Sequence, residues 1–154
     1  MAGSAPGTAF VTGSDGLLGT ELIKLLVSRG HRVVALTRSL EGAETLRRIS
    51  AVPVMGDLLT PGRWQDEAAA DWVLHLSPPP ARGRIFPKRG AQMARAHLSL
   101  DANLLDAVSA GSTRRIVYVA DTRCYGAAGS RPVTEDEPPC PTASGRWLVP
   151  AWTA

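Results

Sequence analysis

The chain has 154 residues, a formal net charge of +3 and 44% hydrophobic residues, a size and balance that suit one α/β core. So mild a charge makes no case for a nucleic-acid partner. No charged leader followed by an apolar core opens the chain, and no apolar run approaches the ~18 residues of a membrane span, so neither secretion nor a membrane is expected. The two cysteines, Cys124 and Cys140, form neither a C-x-x-C pair nor a metal pattern, which fits reduced thiols in a cytoplasmic protein.

A short apolar run, Ala9–Thr12, predicts the first strand and leads into Gly13-Ser14-Asp15-Gly16-Leu17-Leu18-Gly19. A helix is predicted over Leu17–Arg29, with Leu18, Leu22, Leu25 and Leu26 as its apolar stripe and Gly30 as its C-terminal cap. Strand, glycine turn and helix in that order make a dinucleotide-binding site. Gly13 permits the sharp turn, Gly16 lets the backbone approach a pyrophosphate, and Gly19 lets helix and strand pack closely. The helix N-terminus then offers free N–H groups and a positive dipole end to the phosphates, so Ser14, Asp15, Leu17 and Leu18 are expected beside them.

Strand and helix alternate through the rest of the chain, with no internal repeat. Strands are predicted at Arg32–Thr37, Val52–Met55, Trp72–Leu76 and Arg115–Ala120, and helices at Leu40–Ile49 and Ala91–Ala110, where Met93, His97, Leu100, Leu104 and Val108 share a face. Such alternation predicts a Rossmann-type, doubly wound parallel sheet in the order 3-2-1-4-5, with its ligand at the switch point between strands 1 and 4. Residues 1–126 are expected to form the dinucleotide-binding domain. The proline-rich stretch 127–154 is expected to be mostly irregular.

The end of the second strand bears on which dinucleotide binds. NAD enzymes commonly place an acid there for the ribose 2′-hydroxyl, whereas this strand ends Leu36-Thr37-Arg38-Ser39 with no acid before Glu41. Arg38 can meet a 2′-phosphate, with a hydroxyl from Thr37 or Ser39, so NADP is expected in preference to NAD. His75 reads as a buried strand histidine and His31 as a turn residue, and the histidines lack metal-ligand spacing. The segment Arg82 to Arg95 carries Arg82, Arg84, Lys88, Arg89 and Arg95 without an acid. It reads as a solvated loop, the alternative being the mouth of a site for a phosphorylated substrate.

The T-G-x-x-G-x-x-G spacing resembles the short-chain dehydrogenase/reductase superfamily, and further matches resemble its extended branch, the NAD-dependent epimerase/dehydratase family. Gly56-Asp57-Leu58 resembles the family's G-D-L, which implies that Asp57 and Leu58 lie near the adenine. The strand from Asp71 through Leu76 to Ser77 resembles D-x-V-x-H-L-A, which implies that Leu76 and Ser77 lie along the cofactor. Asn103-Leu104-Leu105-Asp106-Ala107 resembles N-L-L-E-A, and Arg115 to Val119 with Tyr125-Gly126 resembles the fifth strand and the tyrosine-glycine pair after it. The matches run in order over nearly the whole chain. Family members are longer, and this sequence stops where their substrate region would begin.

The resemblance carries the cofactor site further than the chemistry. The family's polarising Ser or Thr after strand 5 falls on Asp121, whose carboxylate would repel an oxyanion, with Thr122 beside it as the remaining candidate. Ser144 stands near the position of the family's acid/base tyrosine and Leu148 near its lysine, and no Y-x-x-x-K occurs in the chain. His97 takes the place of a structural asparagine. The resemblance implies an NAD(P)-binding oxidoreductase or epimerase relative acting on a sugar-nucleotide-like or other small carbonyl or hydroxyl substrate, and it leaves open that this chain alone is inactive. The alternatives are a non-catalytic NADP(H)-binding module and a fragment lacking its substrate half. Self-association or marginal stability is also expected, because strand 5 would be left as a sheet edge and Trp147 and Trp152 would lack packing partners.

Overall fold

The computed structural model describes residues 5–76, 87–109, 111, 113–120, 122–127 and 129–141. Ser77, Arg82, Arg84, Asp121, Ser144, Trp147, Leu148 and Trp152 lie outside the described residues. The chain divides into two compact units, Met1–Ser77 with Ala102–Val119, and Pro78–Asp101 with Ala120–Ala154.

The first unit holds a five-stranded parallel sheet: β1 (Thr8–Thr12), β2 (Arg32–Thr37), β3 (Val52–Met55), β4 (Trp72–His75) and β5 (Arg115–Tyr118). Their order is β3-β2-β1-β4-β5, the expected doubly wound arrangement. Residues Ala9–Thr12 of β1 and Val33–Thr37 of β2 are buried, the continuous apolar signature of central parallel strands. Register is set with Val11 opposite Ala35 on one side and Leu74 on the other. Asp71 ties the strand starts together: its carboxylate accepts the Thr8 N–H at 2.8 Å and lies 3.4 Å from the Arg114 guanidinium, while its carbonyl accepts the Arg114 N–H at 2.9 Å.

Helix α1 (Leu17–Ser28) crosses from β1 to β2, and α2 (Leu40–Arg48) from β2 to β3. One apolar cluster joins Val11, Val33, Ala35 and Leu76 with Ile23 of α1 and Leu46 of α2. The buried face of α1 differs from the leucine stripe expected. Gly19 and Ile23 are fully buried with Leu22, Leu26 and Val27 packed beside them, whereas Leu18 and Leu25 are exposed. Each of those two leucines precedes a core-facing position by one residue, and about 100° of rotation per residue turns it off the stripe. Gly30 closes α1 as expected, with φ +82°: its N–H reaches the Val27 carbonyl at 2.9 Å, and the His31 N–H reaches that of Leu26 at 3.1 Å.

The long helix α3 (Pro87–Ser109) starts earlier than the predicted Ala91. Proline is favoured at the first helical position, since its ring fixes φ and its missing N–H would have had no partner there. Lys88, Arg89 and Arg95 are therefore helical and do not belong to a loop. His97, Leu100, Leu104 and Val108 are buried along one face of α3. In the second unit, Thr122–Tyr125 form a 3-10 turn, the Cys140 N–H bonds to the Cys124 carbonyl at 2.9 Å, and Arg131 forks onto Glu137. Both thiols are free, Cys124 buried and Cys140 exposed. Among the described residues no helix is long and apolar enough to cross a membrane, and no cluster of ligating side chains could hold a metal.

Candidate functional site

The strand order reverses between β1 and β4, and in sheets of this kind a ligand lies in the crevice outside the carboxyl ends of the strands at such a point. The last residues of those strands are paired beneath this point. Thr12 and His75 face one another in register, with Thr12 Oγ1 and His75 Nδ1 2.7 Å apart, both residues buried. The His75 ring also lies 5.0 Å from that of Tyr118 on β5. His75 is thus a buried strand residue, as expected, and Leu76 beyond it is buried in the main apolar cluster.

The glycine turn forms one wall. Gly13 has φ +66°, a left-handed conformation that costs any residue with a Cβ, so the chain can reverse there. Gly19 lies so close to the turn that a Cβ would sit 2.8 Å from Ser14 Cα and 2.9 Å from the Ser14 carbonyl oxygen, besides meeting the Gly13 carbonyl. The third glycine therefore seats α1 directly on the turn. Ser14 is buried and donates its hydroxyl to the Leu36 carbonyl at 2.5 Å, fixing the turn to β2.

Gly16 is the N-cap of α1, with φ −80° and ψ 166°. A Cβ there would meet only the Gly13 carbonyl oxygen, at 3.4 Å. No side chain caps this helix and no acid occupies its first turn. Its leading N–H groups and positive dipole end are therefore left for an anion. Leu17 and Leu18 stand beside them, 87% and 57% exposed, an apolar lip at the mouth of the turn.

The second wall is the end of β2 and the start of α2. Ser39 caps α2, its hydroxyl accepting the Gly42 N–H at 3.0 Å. Arg38 projects into solvent, with one guanidinium nitrogen 4.0 Å from the Asp57 carboxylate. The strand itself carries no acid before Glu41, yet two acids approach its end in space. Besides Asp57, Asp15 reaches across from the glycine turn and accepts a long hydrogen bond, 3.4 Å, from the Thr37 hydroxyl. Neither approach is visible in the strand's own sequence, because both acids arrive from other loops.

The loop after β3 completes this side. Asp57 accepts the Leu59 N–H at 2.9 Å and Leu58 is buried. Trp64 lies beneath Gly56, where a Cβ would come within 2.5 Å of its ring, and stacks on Phe10 of β1 with ring centroids 6.4 Å apart. Asn103 of α3 donates its amide to the Leu58 carbonyl at 2.7 Å, and its own carbonyl accepts from the Gln65 amide at 3.2 Å. The sequence matches the helix segment around Asn103 but does not reveal this positioning role. A polar residue on a buried helix face is the one further signal it offers. Thr122, the remaining catalytic candidate, is exposed at the start of the 3-10 turn in the second unit.

These residues fit a dinucleotide in three respects: a Gly16 whose Cβ position has one close neighbour, an uncapped helix end behind it, and a cation at the end of β2. A model of the NAD dependent epimerase/dehydratase family matches residues 9–145. A 4-hydroxy-2-methyl-3-oxo-4-farnesyl-3,4-dihydroquinoline-1-oxide ketoreductase of Stigmatella aurantiaca is 47% identical over 49 residues, 32% of this chain and 15% of that protein. Among solved structures, a short-chain dehydrogenase/reductase superfamily protein of Agrobacterium tumefaciens with bound NAD is 27% identical, with a TM-score of 0.73 over 94% of this chain and 43% of that one. A UDP-glucose-4-epimerase of Stenotrophomonas maltophila, with bound NAD and formylated UDP-arabinopyranose, shares the fold at 24% identity and a TM-score of 0.76, covering 95% of this chain and 46% of that one. The chain spans less than half the length of these solved relatives.

Proposed function

This chain belongs to the NAD dependent epimerase/dehydratase family, and from that premise we propose that its glycine turn binds a nicotinamide dinucleotide, NADP(H) in preference to NAD(H). The observation that carries the reading is the uncapped N-terminus of α1 behind a turn whose glycines leave the backbone bare. In this reading Gly13, Ser14, Asp15, Gly16, Leu17, Leu18 and Gly19 line the pyrophosphate and its surroundings. Asp57 and Leu58 lie toward the adenine, Leu76 and Ser77 lie along the cofactor, and Arg38 takes the 2′-phosphate. The NAD bound by the Agrobacterium relative supports the class of cofactor.

A bound nicotinamide supplies reversible hydride transfer. The chain's own part is to hold the phosphates on backbone N–H groups and to orient the cofactor between the two walls. We assign the cofactor-binding part to residues 1–126 and read 127–154 as the start of a substrate region. The substrate class that the family supports is a sugar nucleotide or another small carbonyl or hydroxyl compound.

The missing Y-x-x-x-K favours a second reading, in which the chain is a non-catalytic NADP(H)-binding module. Titration of the purified chain with NADPH and with NADH tests what the two readings share. Saturable binding with NADPH the tighter ligand supports them, and equal affinities would overturn the preference for NADP(H).

A further inference from the structure

The acid that is missing from the end of β2 is supplied in space by the glycine turn. Asp15 lies 22 residues before Thr37 in sequence, yet its Oδ2 accepts the Thr37 hydroxyl at 3.4 Å. The same oxygen would lie 3.3 Å from a Cβ on Gly42, in the first turn of α2, so the lack of a side chain at Gly42 leaves the carboxylate its space. Ser39, the N-cap of α2, is the next neighbour of that space, 3.0 Å from the same Cβ position. Asp15 itself is exposed, so its carboxylate is open to a ligand.

Resting on the reading that this crevice takes a nicotinamide dinucleotide, we propose that Asp15 is a second determinant of cofactor choice, acting against Arg38. A carboxylate beside the end of β2 accepts a hydrogen bond from a ribose 2′-hydroxyl, which is a donor. It repels a 2′-phosphate, which offers only negative oxygens. Arg38 does the reverse, attracting the phosphate and gaining little from the hydroxyl. Specificity is a difference of affinities, and here one attractive and one repulsive element are set on the same ligand group. Asp57, 4.0 Å from the Arg38 guanidinium, further draws on that cation. The chain therefore accepts both cofactors, with a narrower preference for NADP(H) than Arg38 alone would give.

The test is the ratio of NADH to NADPH dissociation constants, measured by fluorescence titration for the unmodified chain, Asp15→Asn and Asp15→Ala, each checked for native circular dichroism. Asn keeps the size and the contact to Thr37 while removing the charge. Both variants should tighten NADPH and weaken NADH, raising the ratio by about tenfold, the equivalent of 1.4 kcal/mol. An unchanged ratio, or equal effects on the two cofactors, would overturn the role of Asp15 and leave the dinucleotide reading standing. Failure of the folded, unmodified chain to bind either cofactor would overturn both.

Discussion

The Arg38 guanidinium stands 4.0 Å from the Asp57 carboxylate, and 76% of the arginine side chain is open to solvent. So exposed a pair contributes little to stability, of order 0–1 kcal/mol. Arg38 can therefore leave Asp57 for a phosphate at small cost. Replacing Arg38 with Ala should weaken NADPH by on the order of 1.5–3 kcal/mol, the value of a hydrogen bond to a charged group. NADH binding and the melting temperature should change little. Parallel calorimetric titrations check this, and equal losses for the two cofactors would contradict it.

Gly19→Ala should destabilise the fold. Alanine gains about 1 kcal/mol over glycine in a helix. Its Cβ, however, would press on the Ser14 backbone at 2.8 and 2.9 Å, and main-chain atoms in a turn fixed to β2 cannot swing aside. Overpacking of this kind costs about 1–3 kcal/mol, so the net effect is a loss. Urea unfolding measures it, and a variant as stable as the parent would show that α1 does not sit tightly on the turn.

Asn103→Ala should act on the loop after β3. It removes the 2.7 Å bond to the Leu58 carbonyl and leaves that acceptor without its partner, at a cost of about 1–3 kcal/mol. The expected outcome is lower stability together with a several-fold weaker NADPH affinity, because Asp57 and Leu58 shift with the loop. Stability lost at unchanged affinity would separate Asn103 from the cofactor site.

Strand β5 pairs only with β4 among the described residues, and Ile116 and Val117 are 42% and 43% exposed. An apolar strand edge of this kind pairs readily with another chain. The chain should self-associate in sedimentation velocity, and Val117→Lys should shift it toward monomer. A monodisperse monomer at high concentration would contradict this.

Much of the fold is legible in the sequence because central parallel strands are continuous apolar runs. Phe10-Val11 and Val33-Val34-Ala35-Leu36 are such runs, short, rich in β-branched residues and bounded by turn signals. The glycine turn is legible for a similar reason, since each glycine answers a local requirement. The buried face of α1 is misleading in sequence because leucines outnumber the residues that fix its rotation, Gly19 and Ile23. The start of α3 is obscure because its one marker is Pro87, which a loop would also use. The contacts of Asp15 with Thr37 and of Asn103 with Leu58 join residues 22 and 45 positions apart. Crossover geometry brings these pairs together, and no local spacing encodes it.

The central claim is that phosphates lie on the backbone of the glycine turn, and Gly16→Val tests it most directly. Gly16 has φ −80° and ψ 166°, a conformation that valine adopts readily, and its Cβ would meet the Gly13 carbonyl oxygen at an ordinary 3.4 Å. The variant should therefore keep its fold, while its branched side chain fills the space in front of the α1 N–H groups. Calorimetric titration with NADPH, on samples matched by circular dichroism, should show saturable binding by the unmodified chain and none by Gly16→Val. A folded Gly16→Val chain that binds NADPH with the parent's affinity would place the phosphates elsewhere and contradict the account.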